Sequence, residues 1–144
     1  LYLDNKNLVQ SIMGYGIMPN KTGKETFPII PEEFYPDLIR GYFDGDGSVY
    51  IAGIRVNKYK KNTLMAGVSF SSGGIDILNN LKLKLNNIGA NPHLVKKDNS
   101  YEYKITKKTD IVNIYNYMYY SDEVFCLKRK KDIFNTIIEE YQNG

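Results

Sequence analysis

A chain of 144 residues is long enough for one domain with its own core. Its 42% hydrophobic and 24% charged residues are ordinary for a water-soluble fold. No apolar run approaches the ~20 residues needed to span a bilayer. The single cysteine, Cys126, excludes an internal disulfide and a cysteine-built zinc site, which fits an intracellular setting. The first residues, Leu1 to Lys6, have no basic segment followed by an apolar one, so no signal peptide is read. There is no initiator methionine, and the numbering is expected to start inside a longer parent. Net charge is +3, but its distribution is uneven. Residues 48–108 carry 11 basic and 3 acidic side chains, or +8, between flanks at −3 and −2. That is the footprint of a surface for a polyanion; a solvated charged face would give the same count.

In chain order, Leu8, Ile12 and Tyr15 have helical spacing, with Gly14 and Gly16 near the end of the segment. Pro19, Pro28, Pro31 and Pro36 then make residues 17–36 a connector. Pro36 followed by Asp37-Leu38-Ile39-Arg40 predicts a helix start with an acid in its first turn. The helix should stop at Gly45-Asp46-Gly47. Two strands follow, Ser48 to Asn57 and Thr63 to Ser71, joined by a polar turn, with a bulge expected at Gly53. Ile75, Leu78, Leu81, Leu85 and Ile88 predict an amphipathic helix that Gly89 ends. Strands His93 to Lys97 and Tyr101 to Thr106 flank a tight Asp98-Asn99-Ser100 turn. Thr109 or Asp110 is expected to cap a helix carrying Ile111, Ile114, Tyr115 and Met118. The last helix should cover Lys128 to Tyr141, with Ile133, Phe134, Ile137 and Ile138 as its apolar stripe. The order is α-β-β-α-β-β-α-α, with no internal repeat.

The chemistry concentrates in Leu38-Ile39-Arg40-Gly41-Tyr42-Phe43-Asp44-Gly45-Asp46-Gly47-Ser48. Gly41 and Gly45 are four residues apart and share one helix face. Each costs ~1 kcal/mol in a helix interior, which points to close approach of another backbone there. Asp44 and Asp46 sit at the helix exit, where carboxylates oppose the helix dipole and a bound cation would offset them.

The nine residues Ile39 to Gly47 resemble the motif of the LAGLIDADG homing endonucleases without a gap. The small residues, both acids and the final glycine match. The element order from Pro36 onward is also the family's, so residues 36–140 are covered. The resemblance implies an α+β fold, an αββαββα half-domain over residues 36–144 with a curved antiparallel DNA-binding sheet. Leu8 to Thr22 is similar to the end of a preceding half-domain in two-motif members, so residues 1–35 are expected to hold that end plus a Pro-rich linker. A single-motif member would work as a homodimer. The implied activity is site-specific, Mg²⁺-dependent cleavage of double-stranded DNA, of the kind that moves introns or inteins. A second half, in the same parent chain or in another copy, completes the site.

By this resemblance Asp46 is the catalytic, metal-binding acid, and the Gly45 carbonyl lies beside the same metal. Gly41, Gly45 and Asp44 belong to the motif-helix interface, with a structural or capping role for Asp44. Leu127-Lys128-Arg129-Lys130-Lys131 resembles the family segment that supplies an active-site lysine, which makes Lys130 the catalytic candidate; phosphate clamping or a plain basic helix start are its other readings. Lys128 and Arg129 join the DNA-binding set. The first hairpin offers Arg55, Lys58, Lys60 and Lys61 to DNA, and the second and its flank offer Lys96, Lys97, Lys104, Lys107 and Lys108. Ser71 and Ser72 are candidates for ordering water.

Other readings fare worse. Asp44-Gly45-Asp46-Gly47-Ser48 is not a calcium loop, because the twelfth position is Arg55 where a glutamate is needed. His93 is the only histidine, which argues against triads and histidine metal clusters. The run Tyr115 to Tyr120 reads as a core helix edge. The main rival is a protein of the same fold that binds nucleic acid without cutting it, as RNA maturases and transcriptional regulators of related fold do.

Overall fold

A computed structural model of the protein describes residues 27–144. The expected helix at residues 8–15, the first stretch of the connector and the suggested end of a preceding half-domain lie outside the described residues. Phe27 stacks on Tyr35 at 5.6 Å, and the Tyr35 hydroxyl donates to the Pro28 carbonyl at 3.1 Å. A short 3-10 turn, Glu32–Phe34, leads into α1, Tyr35–Asp46. Pro36 fits α1's first turn, where its missing N–H would have had no partner.

From α1 the chain passes without a loop into β1, Gly47–Val56, which pairs antiparallel with β2, Asn62–Ser72. The register shifts between Ile51 and Gly53, and Gly53 has φ 136°, so the expected bulge is present. Helix α2, Ile75–Asn87, ends before Gly89 at φ 81°, a value that favours glycine. Strands β3, His93–Lys96, and β4, Tyr101–Ile105, complete an antiparallel sheet of order β1-β2-β4-β3. Helices α3, Lys108–Met118, and α4, Lys128–Asn143, follow.

The helices cover one face of this sheet. Val49, Val68, Phe70, Tyr103 and Ile105 point under them by strand alternation. Ile39 and Phe43 of α1, Leu78, Leu81 and Leu85 of α2, Ile111, Ile114 and Met118 of α3, and Phe134 and Ile137 of α4 fill the same core. Phe134 lies within 5.4–5.8 Å of the Phe43, Tyr115 and Tyr119 rings, so the tyrosine run is a core edge as its spacing predicts.

Two local expectations change. Neither Thr109 nor Asp110 caps α3, whose N-cap is Lys107 with no side-chain cap. The Asp110 carboxylate is drawn instead to the Asn91 N–H at 2.9 Å and the Thr109 hydroxyl at 3.0 Å. The buried stripe of α4 is Lys130, Phe134, Ile137 and Tyr141, with Ile133 and Ile138 only half-buried. A lysine thus occupies a core-facing position.

Candidate active site

The strip of α1 that carries Gly41 and Gly45 is exposed, and among the described residues a methyl group added at either would meet nothing within 4 Å. The opposite strip, with Ile39 and Phe43, is fully buried. The helix therefore spends its hydrophobic face on its own core and leaves its small-residue face open to a second body.

Gly47 has a different requirement. Its φ of −90° suits any residue, but a Cβ would sit 2.7 Å from the Phe43 carbonyl oxygen, 2.8 Å from the Phe43 Cα and closer still to its ring. The strand leaves so tightly over the last helical turn that only a residue without a side chain fits. Asp46 sits immediately before this turn. Its carboxylate is exposed, and among the described residues it accepts no hydrogen bond and forms no ion pair.

Asp44 is engaged differently. Its Oδ2 accepts the Leu127 N–H at 2.8 Å, tying the start of α4 to α1, while Oδ1 is buried with no hydrogen-bond partner among the described residues. Lys130 reaches back from α4. Its ammonium donates to the carbonyls of Phe43 at 2.8 Å, Asp44 at 2.9 Å and Gly47 at 2.7 Å. All three of its protons are thereby taken. Burial and the Arg129 charge pull its pKa below the ordinary lysine value, against the opposing pull of Asp44 and Asp46. Lys130 thus brings a positive charge to the main chain of this helix exit.

Sequence reasoning missed Arg40. It is buried and donates from Nε to the Phe125 carbonyl at 2.9 Å, from Nη1 to the Met118 carbonyl at 2.8 Å and from Nη2 to Asp37 Oδ1 at 2.7 Å. A lone charge between Ile39 and Gly41 in an otherwise apolar run is the signal that marks it.

No protein-family model matches the sequence, and no curated protein matches it. Solved structures do. The archaeal intron-encoded homing endonuclease I-Vdi141I, solved in complex with DNA, aligns with TM-score 0.62 and 22% identity over 79% of this chain and 72% of that one. The homing endonuclease I-TnaI aligns with TM-score 0.55 and 21% identity over 75% and 74%. The LAGLIDADG homing endonuclease I-SmaMI, bound to cleaved DNA, aligns with TM-score 0.59 and 18% identity over 80% of this chain but 37% of that one.

The chain has the fold of a LAGLIDADG homing-endonuclease half.

In that fold α1 carries the motif-like residues Ile39 to Gly47, and the sheet face away from the helices is the open surface. The registers place Ser48, Tyr50, Gly53 and Arg55 of β1, Gly67, Ser69 and Ser71 of β2, and Glu102 and Lys104 of β4 on that face. The Tyr50 hydroxyl lies where a Gly67 side chain would be. Ser71 is half-buried, and its carbonyl accepts the Tyr42 hydroxyl at 2.6 Å. Ser72 turns its hydroxyl to the Gly74 N–H at 3.0 Å, so it closes a turn.

The basic residues predicted for DNA divide accordingly. Arg55 and Lys104 lie on the open face, and Lys58, Lys60 and Lys61 on the exposed turn between β1 and β2. Lys97 Nζ is paired with Glu102 Oε2 at 2.6 Å. Lys96 pairs with Tyr101 and so alternates to the helix side. Lys107 lies 3.9 Å from Asp110, and Lys108 donates to the Tyr141 carbonyl at 2.6 Å. Lys128 is exposed and pairs with Asp132 at 2.7 Å, and Arg129 is exposed beside it. Glu102, a buried acid on the open face held among Lys97, Lys104 and Ser69, was not anticipated. It is one of three acids, with Asp76 and Asp98, in the basic segment from Arg55 to Lys108.

The residues at the motif-helix exit fit Mg²⁺, which prefers carboxylate, carbonyl, phosphate and water oxygens. Asp46 offers an exposed carboxylate with no hydrogen bond or ion pair among the described residues, next to the exposed Gly45. Among the described residues no group of three or more His, Cys, Asp or Glu side chains gathers to hold a metal. Among the described residues no helix is long and apolar enough to cross a membrane.

Proposed function

We propose that the protein is one half of a site-specific, double-stranded DNA endonuclease, with Mg²⁺ held at Asp46 and a second LAGLIDADG half completing the site. The observation that carries this reading is the Asp46 carboxylate, without a hydrogen bond or ion pair among the described residues, at the end of a helix whose glycine face those residues leave open. Two motif helices meeting on Gly41 and Gly45 would bring two such carboxylates together, with phosphate and water oxygens as the remaining ligands. The chemistry a bound Mg²⁺ supplies there is activation of water and neutralisation of charge on the leaving oxygen. The chain's own part is to hold Asp46 at the exit and to present Arg55, Lys104 and the turn lysines to the DNA. Asp44 holds the start of α4 and leaves metal binding to Asp46. Within a cell, the role of such an enzyme is mobility of an intron or intein.

The test is Mg²⁺-dependent cleavage of a randomised DNA library by the full-length protein, against Asp46→Asn. Sites cut by the protein and spared by the variant support the reading. If neither cuts while both keep salt-sensitive DNA binding, the protein binds nucleic acid through this fold without cleaving it.

A further inference from the structure

We infer that Lys130 is a positioning residue: a main-chain clamp that fixes the exit of α1 and so sets where the Asp46 carboxylate stands. The inference rests on the proposed metal role of Asp46, and it replaces a direct catalytic role for this lysine. Lys130 has 6% relative exposure and lies on the core-facing strip of α4 with Phe134, Ile137 and Tyr141. Its three ammonium protons have three carbonyl partners at 2.7–2.9 Å, two in the last turn of α1 and one at Gly47, the first residue of β1. Its ammonium also lies 5.1 Å from the Phe43 ring centroid. With three donors spent and no acceptor of its own, it has nothing left to offer a phosphate or a water.

The partners bracket the proposed metal ligands. Phe43 and Asp44 precede Gly45 and Asp46, and Gly47 follows them. Holding both sides of a two-residue segment from one point removes the freedom of the segment between. Asp44 fixes the other end of the same link, because it accepts the N–H of Leu127, three residues before Lys130. The helix exit and the start of α4 are thus tied in both directions, side chain to main chain each way. A group that orients a metal ligand in this manner acts through that ligand, and losing it typically weakens metal binding 10–100-fold.

Lys130→Met keeps the chain length and removes the donors, and Lys128→Met serves as the comparison for an exposed lysine. Three readouts separate a clamp from a contact. Amide hydrogen exchange at residues 44–48 of the free protein should speed up in Lys130→Met and stay unchanged in Lys128→Met. The salt dependence of binding to a labelled random-sequence duplex should keep its slope in Lys130→Met, whereas loss of a phosphate contact would lower it by about 1. In the cleavage assay the Mg²⁺ concentration for half-maximal nicking should rise at least about tenfold in Lys130→Met, with partial rescue by Lys130→Arg.

If Lys130→Met does not fold, the wild-type protein still decides, because a clamped Lys130 ammonium exchanges its protons slowly in nitrogen-resolved NMR. A Lys130 ammonium exchanging as fast as the exposed lysines overturns the inference. So does a lowered salt slope with unchanged amide exchange. If the protein never cuts DNA, the proposed function fails, while the exchange readouts still report on the clamp alone.

Discussion

The ammonium of Lys108 lies 2.6 Å from the carbonyl oxygen of Tyr141, so the first residue of α3 closes the last turn of α4. The same device recurs twice. Lys130 of α4 closes the end of α1, and Arg40 of α1 closes the end of α3 through the Met118 carbonyl. Each of these three helices is capped at its C-terminus by a cation from another, and the three links form a ring: α4 to α1, α1 to α3, α3 to α4. A cation at a helix C-terminus meets the negative end of the dipole and the carbonyls the helix itself leaves unpaired. The ring therefore joins local helix stability to tertiary packing.

Lys108→Met should cost about 0.5–1 kcal/mol of stability, because a largely exposed cap is worth no more. It should leave the salt slope of DNA binding unchanged, since this ammonium points to Tyr141. Lys104→Met, on the open sheet face, should lower the slope by about 1 and also cost some stability at neutral pH, because its charge helps to hold the buried Glu102 carboxylate. Thermal melts and salt titrations of the two variants check the contrast.

Arg40→Met should be among the most damaging single substitutions, at about 3–5 kcal/mol. It leaves the carbonyls of Met118 and Phe125 without these donors and removes one partner of Asp37. Urea denaturation should show the midpoint falling with the slope retained. Preserved stability would mean that the guanidinium is not the tie between α1 and the segment after α3.

The motif glycines should respond with opposite signs. Gly47→Ala forces a Cβ against the Phe43 main chain and should cost about 1–3 kcal/mol. Gly41→Ala and Gly45→Ala meet open space in the single half and should stabilise it by up to about 1 kcal/mol through helix propensity. On the proposed pairing of two halves, the same two changes should weaken that assembly. Melting of the isolated chain and sedimentation of the assembled protein read the two effects separately.

Acid should loosen the fold through two carboxylates. The Tyr120 hydroxyl, opposed by burial and helped by Arg40, holds Asp37 below its ordinary value of 3.8. Burial raises Glu102, but the bonds from Lys97 and Ser69 and the charges of Lys104 and Lys97 outweigh it, leaving it below 4.5. A pKa lowered by folding gives stability that is complete above the unfolded value and lost as the pH falls through the folded one. The melting temperature should therefore fall as the pH drops below about 4.5, and Tyr120→Phe and Lys97→Met should each flatten that fall.

The sequence by itself determined the order of elements and the exit of the motif helix. Periodicity and glycine–proline punctuation are local signals, and the helices and strands obey them: Leu78, Leu81 and Leu85 are buried as their spacing requires, and the bulge sits at Gly53. The exposed glycine strip and the exposed Asp46 were legible for the same reason, since residues four apart share a helix face and a helix stops at glycine. What only the tertiary structure decided is the employment of the charged residues. Lys108 and Lys130 carry the same charge as Lys58 or Lys104, and nothing in composition separates a lysine that caps a helix from one that faces solvent. The separation depends on where a distant carbonyl falls: Gly47 lies 83 residues from Lys130, and Tyr141 lies 33 from Lys108. Long flexible side chains take whichever acceptor the packed fold brings within reach, and that is settled only when the helices have docked.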